Sequence, residues 1–456
     1  MAEVRSLVHG FAITGESTVR ALKRHGHEVV VTDDAIDRTK EQRAADVGVT
    51  LAPLPAGAAL EEFVKKFDLI APAPGVPEHH PLIECAQRLG IVISSEIEIA
   101  YAAEQQRAGG SRPILSVTGT DGKTTTCELA VAMLAAGGVR SLAVGNTDIP
   151  MIDALEQELD VYVVECTSFR LAWTNSFRSD AAVWLNLAPD HLNWHRDMAS
   201  YESAKARLFS QQIESDISIG CSHDSTVMSH LRRSSGRQCT FGFDGDYFVD
   251  DGVLMSPSGP IIAASEMTRS LPHDMTNALA AAALVLETEL VGVEAVASAL
   301  RNFEAPAHRL QFVGEVGGVR WFNDSKATTP HAASAAIRAF PTAVLIAGGR
   351  NKDLDLAPMA AAGASLRGVV AIGEAAEEIS DVFGAAVDVV TAGSMETAVD
   401  LAALIAGGRG EVVLSPGCAS FDWYPSGGYP ARGDHFVRLV KERMKQGVFE
   451  KSGGAQ

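Results

Sequence analysis

The stretch Ile114-Leu-Ser-Val-Thr-Gly119-Thr120-Asp121-Gly122-Lys123-Thr124-Thr125-Thr-Cys-Glu-Leu-Ala-Val-Ala-Met-Leu134 concentrates side chains that can hold a nucleotide. A β-branched run enters a glycine-containing turn and an apolar helical pattern (Leu129, Ala130, Met133, Leu134) leaves it, so backbone N–H groups and a helix N-terminus converge. That geometry binds phosphate. In loops of this kind the lysine, here Lys123, reaches terminal phosphates and the hydroxyl of Thr124 a magnesium ion. The usual loop carries a glycine five residues ahead of the Gly-Lys pair, where this chain has Val117; its glycine is Gly119 instead. The shortened form narrows P-loop enzymes to a few, the plain alternative being a strand-to-helix loop with no ligand.

A magnesium nucleotide needs oxygen ligands, and Glu165, at the end of the run from Asp160, joins Thr124 for that purpose in a Walker-like arrangement. A solvated strand end is the alternative. Asn186-Leu-Ala-Pro-Asp190-His191 puts a carboxylate and an imidazole just after a buried run, and carboxylates commonly orient metal-bound imidazoles. Tyr201 to Phe209 reads as a helix with Tyr201, Ala204 and Leu208 on one stripe. Lys205 falls beside that stripe, and pattern alone makes it a surface lysine whose stem covers the core. Asn323-Asp324-Ser325-Lys326-Ala327-Thr328 and Gly348-Gly349-Arg350-Asn351-Lys352-Asp353 set charges in turns after strands. An acidic protein that handles anions needs local cations, and Lys123, Arg309, Lys326 and Lys352 could form that focus, though any one alone reads as a surface charge.

These groups require parallel strands to position them, and the pattern predicts an α/β fold of three domains. Residues 1 to about 109 alternate strand-like runs (His27 to Thr32, Leu69 to Ala71, Ile91 to Ser94) with helical ones. Their first turn, Gly10-Phe-Ala12-Ile13-Thr14-Gly15, resembles the dinucleotide fingerprint with Ala12 for the second glycine and Asp33 ending the next strand. Three readings stay open: NAD, a uridine nucleotide with Asp33 accepting a hydrogen bond, or a bare turn. The polar segment Gln105 to Pro113 is a linker holding the first boundary. A second region, 110–306, contains buried runs ending at Glu165 and Leu187, and ligands bind beyond the carboxyl ends of such strands. The last, 307–456, opens near His308-Arg309 and has strands Ala343 to Ala347 and Glu411 to Ser415, which suggest another small parallel sheet.

At 456 residues, 46% hydrophobic and 21% charged, the chain is globular and too long for one core. The formal charge of −19 argues against nucleic acid, whose binding depends on a basic footprint. Six scattered cysteines without Cys-x-x-Cys spacing read as reduced, mostly buried thiols of a cytoplasmic protein. No signal-peptide core opens the chain, and the longest apolar run, Ala278 to Leu286, is far short of the ~20 residues that span a bilayer. The tail Lys451 to Gln456 is expected to fray, and the chain to act as a monomer.

In this order and over nearly the whole chain, the segments resemble the Mur ligases of peptidoglycan synthesis. They are Gly119 to Thr124, Glu165-Cys-Thr-Ser-Phe169, Pro189-Asp-His-Leu192, Tyr201 to Phe209 with Lys205, His308-Arg309, Asn323 to Thr328 and Ser415-Pro-Gly-Cys-Ala-Ser420. The likeness is greatest to the branch that adds D-glutamate to UDP-N-acetylmuramoyl-L-alanine. The Asp-Asn-Pro-Arg signature of diaminopimelate- or lysine-adding relatives is absent, and folylpolyglutamate synthetases lack the uridine-binding domain. The resemblance implies a UDP-binding Rossmann-like domain, a central P-loop ATPase domain and a C-terminal Rossmann-like amino-acid domain. ATP would lie on Gly119, Thr120, Asp121, Gly122, Lys123, Thr124 and Thr125, with Asn277, Arg309, Asp324 and Lys326 around it. Magnesium would be held by Thr124 and Glu165, and a second ion by His191 and a carbamylated Lys205, which inverts the plain reading of that lysine. Lys123, His191 and Lys205 would be the catalytic groups. Ile13, Thr14, Asp33, Gly75 and Asn146 would face the UDP-sugar substrate, and Thr328, Lys352, Ser420, Phe421 and Tyr429 glutamate. The implied reaction passes through an acyl phosphate.

Departures are visible. Asp121 replaces the usual Asn and adds a negative charge near phosphates unless it caps the helix. Asn193 stands where many relatives have Asp, and Ala35 where an arginine often follows Asp33. The loop Phe421-Asp-Trp-Tyr-Pro-Ser-Gly-Gly-Tyr429 is longer and more aromatic than the family leads one to expect, which leaves an L-glutamate-adding variant or another Mur-type ligase as alternatives. A catalytically inactive nucleotide-binding homologue is the non-enzyme alternative.

Overall fold

The structure, a computed structural model, describes residues 4–147, 149–304 and 307–446. The tail from Lys451 and the Ala305-Pro306 pair at the expected last boundary lie outside them. The chain folds as two compact units, one running to Leu187 with His191–Phe303, the other comprising Ala188–Asp190 with the chain from Glu304 onward.

The first unit carries two parallel sheets. One has β1 (Arg5–His9), β2 (Glu28–Thr32), β3 (Leu51–Ala52), β4 (Leu69–Pro72) and β5 (Val92–Ile93), in the order β3-β2-β1-β4-β5. Strand order reverses between β1 and β4, which opens a crevice beyond their carboxyl ends. The other has β6 (Ile114–Thr118), β7 (Ser141–Gly145), β8 (Val161–Glu165), β9 (Ala181–Trp184), β10 (Ile217–Cys221) and β11 (Arg237–Phe241), in the order β11-β10-β9-β6-β8-β7. Every residue of β6 is buried between β8 and β9, as expected of a central parallel strand, so the turn leaving it sits over the equivalent crevice. The helix Lys123–Ala136 packs its Leu129, Ala130, Met133 and Leu134 against the Ala-rich face of the helix Pro272–Leu286. Small side chains there allow close approach. The apolar run around Ala278 is thus a core helix, and no described helix is long and apolar enough to cross a membrane.

Two features depart from expectation. A three-stranded antiparallel sheet, β12 (Phe248–Asp250), β13 (Val253–Ser256) and β14 (Gly259–Ala263), follows β11; its first turn is Asp251-Gly252, both at positive φ (+41° and +74°), the hairpin geometry such a pair favours. The segment read as a linker is also tied down. Arg112 is buried; its guanidinium donates twice to Glu104, from Nε at 2.9 Å and Nη2 at 2.8 Å, while Nη2 also reaches the Leu155 carbonyl and Nη1 the Gln157 carbonyl. Glu98, on the same helix (Glu96–Glu104), accepts the backbone N–H groups of Asn175, Ser176 and Phe177 at 2.8–3.0 Å.

The second unit holds β15 (Gln311–Val316), β16 (Val319–Asn323), β17 (Val344–Gly348), β18 (Gly368–Ile372), β19 (Val389–Ala392) and β20 (Gly410–Gly417), ordered β15-β16-β20-β17-β18-β19. Only β15 is antiparallel to its neighbour. The two anticipated strands are the central pair, β17 and β20.

Candidate functional site

The turn after β6 is shaped by its two glycines. Gly122 is the N-cap of the helix Lys123–Ala136 in a left-handed conformation (φ +86°), and a Cβ there would lie 2.6 Å from Asn277 Oδ1. At Gly119 a Cβ would meet that of Leu185 at 2.9 Å. The cap position therefore falls to Gly122 rather than Asp121, and Asn277 lies against the loop. Thr124 and Thr125 occupy the first helical turn, whose N–H groups have no intrahelical partner and can face an anion.

Asn186, just past β9, fastens the loop: its Oδ1 accepts the N–H groups of Thr120 and Asp121, both at 2.9 Å, and its Nδ2 donates to the Asp121 carbonyl. Sequence reading quoted this residue without a role. Its signal was its place at the end of a strand beside β6.

Two ammonium groups converge on one peptide oxygen. Lys123 Nζ folds back to donate to the Gly119 and Thr120 carbonyls, each at 2.8 Å, and Lys205 Nζ donates to the Gly119 carbonyl at 2.7 Å. Lys205 is 1% exposed, which corrects the surface-lysine reading. The helix Met198–Ser210, begun by an Asp197–Ser200 capping box, presents Tyr201 and Lys205 one turn apart on its buried face. Tyr201 makes a 3.0 Å hydroxyl contact with Thr120 Oγ1, and its ring centre lies 4.7 Å from Lys205 Nζ.

Glu165, closing β8, is 2% exposed. Its Oε1 accepts from Asn146 Nδ2 at 2.9 Å, and its buried Oε2 has no hydrogen-bond partner. A buried carboxylate oxygen left in that state is costly unless a cation completes it, and the oxygen donors here suit a hard ion such as magnesium. His191 adopts φ +58°, unusual for a non-glycine, and its ring meets Phe169 edge-on, centres 4.6 Å apart. Asp190, beside that imidazole in sequence, groups with the second unit and lies 3.5 Å from Lys352 Nζ.

In the amino-terminal sheet, Gly10 (φ +90°) and Gly15 close the first turn; a Cβ on Gly15 would sit 2.1 Å from the Gly10 carbonyl oxygen. Ile13 is 62% exposed at the start of the helix Ile13–Arg24, and Gly75 faces open space. Asp33 is different. It is buried and accepts from Phe11 N (2.6 Å), Ala35 N (2.8 Å) and Lys40 Nζ (2.7 Å). Burial pushes its carboxyl up, but the Lys40 and backbone hydrogen bonds outweigh it and hold the group below its ordinary value. Arg170, which sequence reading passed over, is 4% exposed; its Nη2 donates to the Gly145 carbonyl at 2.9 Å and contacts Thr14 Oγ1 at 3.4 Å, with Glu96 3.5 Å from Nε.

In the second unit, Asp324 accepts from Leu310 N at 3.1 Å and Ser415 Oγ at 2.7 Å, which ties the turn after β16 to strand β20 and to the segment entering β15. Arg309 precedes that anchored Leu310. Lys326 Nζ lies 5.5 Å from the Tyr429 ring centre, and Ser325 Oγ donates to the Tyr429 carbonyl. Thr328 is half-buried, Ser420 buried and Phe421 53% exposed. The organiser is Arg432, which sequence reading missed. It is fully buried and donates only to neutral oxygens: Ser325 Oγ and carbonyl, and the Cys418 and Ala419 carbonyls. Burial pushes its guanidinium down to about 10. Its sequence signal was an arginine in register with the apolar stripe Phe436, Leu439 and Val440 of its helix. The proposed focus of four cations is divided, Lys123 belonging to the first unit and Arg309, Lys326 and Lys352 to the second.

Residues 4–95 match the Mur ligase MurD-like N-terminal domain, residues 117–285 the Mur ligase middle domain and residues 308–418 the Mur ligase glutamate ligase domain. A protein of Frankia casuarinae named UDP-N-acetylmuramoylalanine–D-glutamate ligase is 39% identical, across 96% of this chain and 94% of its own. One of the same name from Thermobifida fusca is 34% identical, across 96% and 98%. Among solved structures, the MurF ligase of Thermotoga maritima in complex with ADP superposes with a TM-score of 0.59 at 14% identity, covering 97% of this chain and 96% of that one.

Proposed function

The chain belongs to the Mur ligase family, and we propose that it is an ATP-dependent ligase joining D-glutamate to UDP-N-acetylmuramoyl-L-alanine in peptidoglycan precursor synthesis. One observation carries the reading: likeness to ligases of that name across 96% of the chain, whose phosphate loop joins Lys123 and Lys205 on one carbonyl beside the strand that ends at Glu165. We assign UDP-sugar binding to residues 1–109, ATP binding to 110–306 and amino-acid binding to 307–456.

A carboxylate is a poor electrophile, so the substrate's alanyl carboxylate must first take the γ-phosphoryl group of ATP. The helix N-terminus at Thr124 and Thr125 and the ammonium of Lys123 would stabilise that transfer, Lys123 turning from its own loop carbonyls to the phosphates. Magnesium, held by Thr124 and Glu165 and, at a second position, by His191 and carbamylated Lys205, would neutralise the transferred charge. Carbamylation requires Lys205 to leave the Gly119 carbonyl. Asn146, hydrogen-bonded to Glu165, and Arg170, beside Thr14, would hold the substrate's diphosphate. The glutamate amine then attacks the acyl phosphate, and the tetrahedral adduct collapses to amide and phosphate. Thr328, Lys352, Ser420, Phe421 and Tyr429 would position the amino acid, and Asn277, Arg309, Asp324 and Lys326 would surround ATP. Six free, buried cysteines support a reducing, cytoplasmic setting.

The test is phosphate release with UDP-N-acetylmuramoyl-L-alanine, magnesium-ATP and each glutamate enantiomer. Release with D-glutamate alone is expected. Release with L-glutamate alone would reassign the amino acid, and silence with both would end the proposal.

A further inference from the structure

Outside the phosphate loop, His9, Asp34 and His80 bring three ligand atoms within 4.8 Å of one another. His9 ends β1, Asp34 follows β2, and His80 caps the helix Pro81–Leu89, so all three ring the crevice where strand order reverses. Asp34 Oδ2 lies 3.4 Å from His9 Nε2 and 3.0 Å from His80 Nε2, and the two rings are 4.8 Å apart, centre to centre. Tetrahedral zinc with bonds of roughly 2.05 Å requires ligand atoms about 3.3 Å apart. The two carboxylate–imidazole separations, 3.4 and 3.0 Å, match that value, and the two imidazole nitrogens, within 4.8 Å of each other, would draw together on the ion.

The surroundings suit a ligand set. His9 is buried, and its Nδ1 pairs with Thr32 Oγ1 at 2.9 Å, which fixes the ring with Nε2 turned toward Asp34. Such a partner on the remote nitrogen is the usual support of a metal-bound imidazole. His80 Nδ1 accepts from Leu82 N–H at 3.2 Å, so in the absence of metal its proton sits on Nε2 and is donated to Asp34. Metal binding moves that proton to Nδ1 and gives up the Leu82 hydrogen bond. Asp34 has 60% of its side chain exposed, so the ion has an entry path and a fourth position for water or an anionic oxygen. Two imidazoles and one carboxylate favour zinc-like ions over magnesium.

We propose that His9, Asp34 and His80 form a binding site for one zinc-class divalent cation, separate from the magnesium site at the phosphate loop.

The test uses the full chain without nucleotide. Cobalt(II) should produce the intense visible bands of a tetrahedral complex, and zinc should displace it at one equivalent per chain. Asp34→Asn and His80→Asn, each checked for an unchanged thermal transition without metal, should weaken zinc at least about tenfold, since loss of even a supporting group typically costs 10–100-fold. Asp34 is exposed, so its variant stays folded if His80→Asn does not. Glu165→Gln should bind zinc as the parent does. Absence of a saturable site, parental affinity in Asp34→Asn, or loss of zinc in Glu165→Gln would overturn the assignment.

Discussion

The turns after β1 and β6 share a plan: each leaves the central strand of a parallel sheet, passes through glycines that no other residue could replace, and enters a helix. They differ in what happens to their charges. At the turn after β1, the buried carboxylate of Asp33, which follows β2, is met by Phe11 of that turn, by Ala35 and by Lys40. After β6, Lys123 and Lys205 share peptide carbonyls and Glu165 holds a buried oxygen with no hydrogen-bond partner. A turn whose polar groups are already satisfied holds the scaffold; one whose groups are held by exchangeable partners can receive a ligand. By this criterion Asp33 secures the turn, and the proposed recognition of the UDP-sugar would fall to exposed or half-exposed neighbours such as Ile13 and Thr14.

Three variants put the contrast at risk. Lys123→Ala should cost the most, at least about 10²–10³ in kcat, because a preorganised charge at the phosphates is lost. Its thermal stability should hardly change, and a large drop in Tm would mean that the lysine's chief task is to hold the loop. Glu165→Gln should lower activity about 10–100-fold and raise the magnesium concentration needed for half-maximal rate; an unchanged magnesium dependence would remove the metal role. Asp33→Asn should be mildest in activity but lose about 1–3 kcal/mol of stability through its broken pairing with Lys40, with KM for the UDP substrate unmoved. A raised KM at parental stability would restore Asp33 as a substrate contact. The pH dependence has a definite sign. Because the folded carboxyl lies below its ordinary value, its stabilisation is complete above an unfolded value of about 3.9 and is lost as pH falls through the lower folded one. The parent's Tm should therefore fall more steeply than that of Asp33→Asn between about pH 4 and pH 2.

Parallel strands were legible because each central one is an unbroken apolar run ending in polar residues, as at Glu165 and Gly348. The phosphate loop was legible because its residues are contiguous. What escaped are contacts between segments distant in the chain. Arg432 is separated by 107 residues from Ser325, and Asn186 by 65 from Asp121. Lys205 misled because its neighbours on the helix suggest a rim position, whereas the Gly119 carbonyl gives its charge an interior partner. The β12–β14 strands, three to five residues each, are too short for alternation to declare them, although Asp251-Gly252 was a usable hairpin signal.

Among these distant contacts, the buried carboxylates of the Glu96–Glu104 helix reach furthest. Glu98 accepts backbone N–H groups of the loop that leads into β9, and Glu104 holds the guanidinium of Arg112 just ahead of β6, so the segment between the two sheets is bonded to the entrances of the second one. Heat should find no seam there. A chain with three large sheets would then melt in at most two calorimetric steps, with the first two sheets lost together as one cooperative block.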